Sequence, residues 1–334
     1  MDSSTDHNSP LVTVVVPAHN EEDFIVRCLA SILRVDWPAG RIEILVIDHA
    51  STDKTAIRAR DGGARVLTHA DGKIGSVRNA GLVAANGQFV AYVDADCEVP
   101  LTWIRNAVTL LERDETVGAV GGPCLCPTRS TWVERTFAAR QTTLGNRAVN
   151  AMPTSSFIAR RSVLLDVGLF DESLTSGEDD DISQRIRARR LTLVSSPDSH
   201  VIHYGYPRTL RAVVRKERWH GSSQLESRSN LDVTLILTHL FAVTTAALPL
   251  TLAAWALLRT AHSLAIVFAT LVLELIPPLF YAAKRYSARP QEAHLIPAWL
   301  AVGYAYFLGR SLGLADNYWR RFTASRSAAE PPSN

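Results

Sequence analysis

Two acidic clusters stand out in this 334-residue sequence as groups able to do chemistry. Asp94-Ala-Asp96 follows the apolar run Val90-Ala-Tyr-Val93, and residues two apart on an extended chain point to the same side. Both carboxylates can therefore address one site. Carboxylates repel phosphates, so a pair of them facing a phosphorylated ligand implies a bridging divalent cation. The plainer alternative is an acidic turn that merely ends a strand. The second cluster, Gly177-Glu-Asp-Asp-Asp181, precedes Ile182, Ile186 and several arginines and reads as the acidic start of a helix. Acidic residues in a first turn commonly complement the helix dipole. Three adjacent aspartates exceed what capping requires, and mutual repulsion raises the pKa of at least one, giving a candidate general base. Arg78, within Arg78-Asn-Ala-Gly81, can pair with phosphate oxygens. His203, in His203-Tyr-Gly-Tyr-Pro207, is either structural or a neutral-imidazole metal ligand in the loop after a strand.

The elements that must hold these groups follow from hydrophobic pattern. Leu11–Val16 is a β-branched run ended by Pro17, as expected of a buried parallel strand. A helix is expected from about Glu21 to Val35, with Phe24, Cys28, Leu29, Ile32 and Leu33 on one face. Ile42–Ile47, Arg65–Leu67 and Phe89–Val93 read as further strands. Strands alternating with helices imply right-handed βαβ units and a mostly parallel sheet covered on both faces. Ligands on such sheets sit at the carboxyl ends of the strands. There the chain carries Pro17-Ala-His-Asn-Glu21, Asp48-His-Ala-Ser-Thr-Asp53 and Asp94-Ala-Asp96. The G-x-G-x-x-G fingerprint of dinucleotide-binding domains and the P-loop pattern are both missing after the first strand.

Lys+Arg 35 against Asp+Glu 33 leaves a net charge of +2, which excludes the global basic field of a non-specific nucleic-acid binder. The composition, 47% hydrophobic and 20% charged, excludes disorder. The start of the chain lacks a secretory layout, and Cys28, Cys97, Cys124 and Cys126 are expected to be reduced structural thiols. Val233–Leu258 contains no Asp, Glu, Lys or Arg and exceeds the ~20 residues needed to cross a bilayer as a helix. His262–Ala283 is a second candidate span, interrupted by Glu274 and Pro277-Pro278, and Leu295–Gly309 is a short third whose crossing stays open. Arg211, Arg215, Lys216 and Arg218 before the first span, and Lys284, Arg285 and Arg289 after the second, put both ends in the cytoplasm. Pro207–Ser229 has the composition of a basic helix lying on the membrane surface.

At this point the sequence resembles the family 2 glycosyltransferases of the GT-A fold. Pro17-Ala-His-Asn-Glu-Glu22 is similar to P-x-x-N-E-E, and Val46-Ile-Asp-His-Ala-Ser-Thr-Asp-Lys-Thr55 to V-D-D-G-S-T-D-G-T. Arg78-Asn-Ala-Gly81 resembles R-N-x-G, Asp94-Ala-Asp96 the D-x-D motif, and Gly177-Glu-Asp-Asp-Asp-Ile182 the element G-E-D-x-D-[LI]. The resemblance spans about Leu11 to Ser222. It implies an α/β GT-A fold of nucleotide-diphospho-sugar transferases with a mostly parallel sheet, joined to C-terminal transmembrane helices. It further implies that Pro17, Glu21 and Asp48 contact the nucleotide, that Arg78 and Asp94 hold the diphosphate, and that Asp96 is the main ligand of Mn²⁺ or Mg²⁺. Asp179 becomes the base, with Glu178, Asp181, Arg218 and Trp219 on the acceptor side. Arg218-Trp219 resembles the end of the Q-x-x-R-W element, although Arg215 stands where Gln would be, and His49-Ala50 replaces the usual D-G.

The expected organisation is a disordered tail (1–10), a catalytic domain (11–205), a basic interfacial region (206–232), a membrane module (233–315) and a basic, mostly disordered tail (316–334). The expected function is inverting transfer of a sugar from a nucleotide sugar, taken as a UDP-sugar, to a lipid-linked saccharide in cell-surface polysaccharide assembly. The enzyme is expected in the inner membrane as a multi-pass protein with its catalytic domain facing the cytoplasm. A bare polyprenyl phosphate acceptor is the alternative, and nucleotidyl transfer or a non-catalytic scaffold are readings of other classes.

Overall fold

Val12–Ala18, VTVVVPA, forms strand β1, and every one of its residues is buried. β-branched side chains suit a pleated surface covered on both faces, and each fully buried valine contributes roughly 1.5–3 kcal/mol. The computed structural model describes residues 9–138, 145–223 and 233–329. The chain divides into two compact units, Met1–Thr128 with Gln141–Tyr206, and Arg129–Arg140 with Pro207–Asn334.

In the first unit, β1 leads to α1 (Ile25–Ile32), β2 (Ile42–Asp48), α2 (Thr55–Asp61), β3 (Arg65–Thr68), α3 (Ile74–Ala84) and β4 (Phe89–Tyr92). These follow the expected alternation. The first helix is shorter than its pattern predicts, because Glu21–Phe24 forms a turn closed by Phe24 N–H on Glu21 O. β5 (Cys97–Glu98), α4 (Trp103–Arg113), β6 (Val117–Gly121) and β7 (Cys124–Leu125) come next. After α5 (Trp132–Ala138), which belongs to the second unit, the first resumes with β8 (Arg147–Val149), β9 (Phe157–Arg160), α6 (Arg161–Asp166), α7 (Glu178–Ala188), β10 (Thr192–Ser195) and β11 (Val201–His203).

Among the described residues the main sheet has eight strands in the order β3-β2-β1-β4-β9-β6-β10-β8. The four strands read from sequence are mutually parallel. The sheet is mostly parallel, as expected, with six of its eight strands sharing one direction, and mixed only in that β9 runs antiparallel to both β4 and β6, and β8 antiparallel to β10. The cause is local: β9 follows a 3-10 turn at Thr154–Ser156 instead of the crossover helix that a parallel strand requires. A second, three-stranded sheet has the order β5-β11-β7.

The second unit contains α5, α8 (Leu210–Ser223), α9 (Val233–Leu258), α10 (Ala261–Ala288) and α11 (Ile296–Ala329). α9 and α10 are long and apolar enough, by length and composition, to cross a membrane. Their large side chains face outward, with Leu257 84% and Phe268 68% exposed, as suits helices solvated by lipid. A capping box starts α10, with the Thr260 hydroxyl accepting from Ser263 N–H at 3.1 Å. α8 does not lie free: it packs closely on α11, where Gly309 and Gly313 leave no room for a side chain. A Cβ at 309 would stand 2.8 Å from Glu217 Cβ, and one at 313 would stand 2.6 Å from Ser222 N. Glu217, fully buried, accepts from Arg310 Nε at 2.9 Å across this contact.

The third apolar segment is the first part of α11, a continuous helix of 34 residues. The tail expected from residue 316 is therefore helical up to Ala329. α11 meets α9 at Thr238, His239 and Phe241, and α10 at Glu274, Pro278 and Tyr281. These partners lie in the first half of α9 and from the midpoint of α10 onward, toward the end of the pair that carries Arg285 and Arg289. Residues 1–8 and 224–232 of the expected tail and interfacial region lie outside the described residues.

Candidate active site

The crevice opens where β1 loses one neighbour. β1 pairs with β4 only up to Val15↔Tyr92, while pairing with β2 continues to Ala18↔Asp48. Pro17, which has no N–H, falls beyond the end of the β4 ladder, where its missing donor costs nothing. Asp48 ends β2, is 5% exposed, and has a buried Oδ1 with no partner among the described residues. An orphaned carboxylate oxygen at a strand's carboxyl end is an acceptor left for a group outside the protein chain.

The loops after β1 and β2 lock each other. Asn20 Oδ1 accepts from Thr52 N–H at 2.9 Å, Asn20 N–H donates to the Ser51 hydroxyl at 3.0 Å, and Glu21 N–H donates to Thr55 Oγ1 at 2.7 Å. Asn20 and Ala50 are left-handed, with φ 56° and 51°. Asn tolerates that region, whereas Ala50, standing where the resemblance expects Gly, holds it at a cost of about 1–2 kcal/mol. His49, which replaces a carboxylate of the motif, donates from Nδ1 to His69 O at 2.9 Å. Burial, then repulsion from Asp96 and Asp94, raises the Glu21 carboxyl to about 7. The first loop thus lies in the field of the D-x-D pair.

Arg78 joins the two acidic clusters. Its Nη1 donates to Glu178 at the start of α7 and its Nη2 lies 3.4 Å from Asp94 Oδ1 beyond β4. Burial disfavours the charged guanidinium, but Glu178, Asp94 and Asp179 outweigh it and raise its pKa. Asn79 beside it fixes the loop that leads into α7, exchanging two bonds of 2.9 Å with the Phe170 backbone and donating to Glu172 at 2.8 Å. Gly177, at φ 86°, makes the left-handed turn into the helix. Asp179 is half-buried, and burial, followed by repulsion from Glu178 and Asp180, raises its carboxyl to about 7. Asp180 N–H occupies its Oδ1 at 2.9 Å.

Three of the expected site residues also have protein partners. Glu178 is 7% exposed and anchors Arg78. Asp181 accepts from Arg185 of the same helix through Oδ2, at 2.5 and 2.9 Å. Arg78 is 5% exposed with both terminal nitrogens on carboxylates, while its buried Nε has no partner among the described residues. Arg218 and Trp219 belong to the second unit; Arg218 donates to Asp316 at 2.6 and 3.0 Å, and Trp219 is half exposed.

The small sheet brings β11 to β5, with His203 opposite Cys97. Side-chain atoms of Asp94, Asp96, Cys97 and His203 fall within 4.8 Å of one another, and His203 Nε2 is 3.6 Å from Asp96 Oδ2. Two carboxylates and an imidazole form a donor set suited to a divalent metal ion. Burial and the neighbouring carboxylates push the Cys97 thiol well up, and its Sγ donates to Asp96 Oδ1 at 3.7 Å. Gly205 fits the same picture, since a Cβ there would collide with Asp96 Oδ2. Neither Cys97 nor Gly205 stood out in the sequence, although Gly205 lies two residues after His203 and a close-approach glycine there was the available signal.

Residues 13–167 match the profile described as Glycosyl transferase family 2. An uncharacterised glycosyltransferase of Mycobacterium tuberculosis is 32% identical over 164 residues, covering 48% of this chain and 72% of that protein. The chain belongs to glycosyl transferase family 2. A second relative, glycosyltransferase AglE of Haloferax volcanii, is 30% identical over 181 residues, which cover 51% of this chain and 59% of AglE, less than two thirds of its length. The fold of a mannosyltransferase from Pyrobaculum calidifontis, in complex with GDP-Man and Mn²⁺, superposes with a TM-score of 0.60 at 21% identity over 95% of this chain and 89% of that one. At that identity the likeness shows the GT-A fold. The family 2 match ends before Asp179 and His203, so their placement rests on the geometry above.

Proposed function

We propose that this protein is an inverting glycosyltransferase that moves a sugar from a nucleotide sugar to a membrane-associated acceptor. What carries the reading is the convergence of the D-x-D pair, Arg78 and an aspartate raised to about 7 at one end of one crevice. The mannosyltransferase with the similar fold was solved with GDP-Man and Mn²⁺, and the donor here is likewise a nucleotide sugar, taken as a UDP-sugar.

Pro17, Glu21 and Asp48 line the nucleotide half, where the orphaned Asp48 Oδ1 accepts from the ligand. Asp94 and Asp96, with His203, would hold a divalent cation, which when bound supplies positive charge against the departing diphosphate. Arg78 fixes Asp94 on one side and Glu178 on the other. Asp179 uses Oδ2, the oxygen left open by Asp180 N–H, to take the acceptor's hydroxyl proton. The acceptor oxygen then forms its bond to the anomeric carbon as the bond to the diphosphate breaks on the opposite face, inverting the centre. A base with a pKa near 7 is about half ionised at neutral pH, where both its proton affinity and its available fraction are useful.

The acceptor is read as a polyprenyl-linked saccharide, with a bare polyprenyl phosphate as the alternative. The apolar pair α9 and α10 and the basic residues at one end of it support a multi-pass inner-membrane protein with its catalytic unit in the cytoplasm. Asp179→Asn should abolish transfer, by 10²-fold or more, while leaving metal-dependent nucleotide binding intact by thermal shift. Loss of nucleotide binding as well would assign Asp179 to the metal site and defeat its role as base.

A further inference from the structure

In the second unit, α8 and α11 flank an open groove with a cavity volume of about 490 Å³, lined by Arg215, Arg218, Trp219, Asp316, Trp319 and Arg320, with Ser222 at its floor. Three guanidiniums face one carboxylate, so the groove carries a positive balance. Asp316 takes the Nε and Nη2 edge of Arg218. Arg320 leans on carbonyl oxygens, those of Asp316 at 3.4 Å and Ser222 at 3.3 Å, and shares the field of the Asp316 carboxylate with Arg218, so that one negative charge serves more than one guanidinium. Arg215 is exposed on α8. The two indoles are 50% and 67% exposed, an unusual state for tryptophan away from a ligand or a lipid interface.

The level of the groove is set by its neighbours. Tyr318, adjacent to Trp319, bonds His239 at 2.9 Å, and His239 lies in the second turn of the apolar helix α9. Phe322, half exposed, stacks near Trp319 with ring centroids 6.2 Å apart. Exposed Trp, Tyr and Phe mixed with arginines at the end of an apolar helix is the composition of a headgroup layer, where rings sit in the interface and guanidiniums reach phosphates. Guanidinium groups pair with phosphate oxygens by two parallel bonds.

We infer that this groove binds the phosphate of an anionic phospholipid headgroup, fixing the α8–α11 pair to the membrane surface independently of sugar transfer. The inference rests on the membrane reading of α9 and α10. It is tested on the full chain purified in detergent, titrated with dioctanoyl phosphatidylglycerol, dioctanoyl phosphatidylcholine or inorganic phosphate, following tryptophan emission and unfolding temperature. Phosphatidylglycerol should bind saturably and phosphatidylcholine at least tenfold more weakly. The double variant R215Q/R320Q should bind phosphatidylglycerol ~30-fold more weakly with its own unfolding temperature unchanged. Trp319→Phe should remove most of the emission change. Equal binding of the two lipids, wild-type affinity in the double variant, or inorganic phosphate binding as tightly as the lipid would each overturn the inference. Should the double variant fail to fold, the preference between the two lipids in the natural protein decides. A chain that still requires detergent but ignores phosphatidylglycerol would sink this inference and leave the membrane reading standing.

Discussion

Arg78 holds Glu178 and Asp94 with one buried guanidinium, and Asp179 sits beside that arrangement with its carboxyl at about 7. Replacing Glu178 by Gln removes one of the charges that raise Asp179 and leaves Arg78 short of a partner. We expect Glu178→Gln to cost about 3 kcal/mol in urea unfolding, because it breaks a buried charge pair. The acid limb of its pH–rate profile should also move to lower pH, since Asp179 then ionises more readily; an unmoved limb would mean that another group is the base. Stability carries the same signature. Glu21 and Asp179 have folded pKa values above their unfolded ones, so the folded protein binds protons more tightly and stability falls as pH rises from about 4 to about 7. The acidic character of both motifs was legible in sequence because it is local. That Glu178 faces inward was not, because its partner lies 100 residues away.

At the scale of elements, the small sheet β5-β11-β7 does what no helix of the fold does: it seats His203 beside Asp96. The turn that follows must stay clear of that carboxylate. Gly205→Ala should therefore weaken Mn²⁺-dependent nucleotide binding 10- to 100-fold by calorimetry, with an unfolding temperature close to that of the natural protein. Unaltered affinity would separate Gly205 from the metal site. The strands β1, β2 and β4 were readable because each is a largely buried run rich in β-branched or aromatic residues between turn signals, and β3 because Val66 and Leu67 stand between a Gly-Gly turn and a polar loop. β11 was read as the strand leading to His203, which in the structure is its last residue, whereas β9 was not read, and its direction is decided by the connection and not by the strand's own residues.

At the scale of the molecule, the boundary read near residue 205 is incomplete. Residues Arg129–Arg140 leave the catalytic unit, and α5 buries Val133 and Phe137 within the second one, where Lys216 lies over the Phe137 ring and Arg208 near Glu134. No composition shift marks that excursion. A chain cut after Tyr206 should aggregate by size-exclusion chromatography, and replacing Val133 and Phe137 by Ser should restore a monomer; a monomeric cut chain without those changes would show that α5 needs no cover.

A guanidinium shared by two carboxylates is also a lever. Any cation drawn toward Asp94 competes with Arg78 for it, and a loosened Asp94 contact tightens Arg78 on Glu178 next to Asp179. Binding free energies linked in this way are reciprocal, so occupancy at the base must change donor affinity by the same factor that donor changes occupancy at the base. The two halves of the crevice, contributed by distant stretches of chain, are thereby joined through one guanidinium.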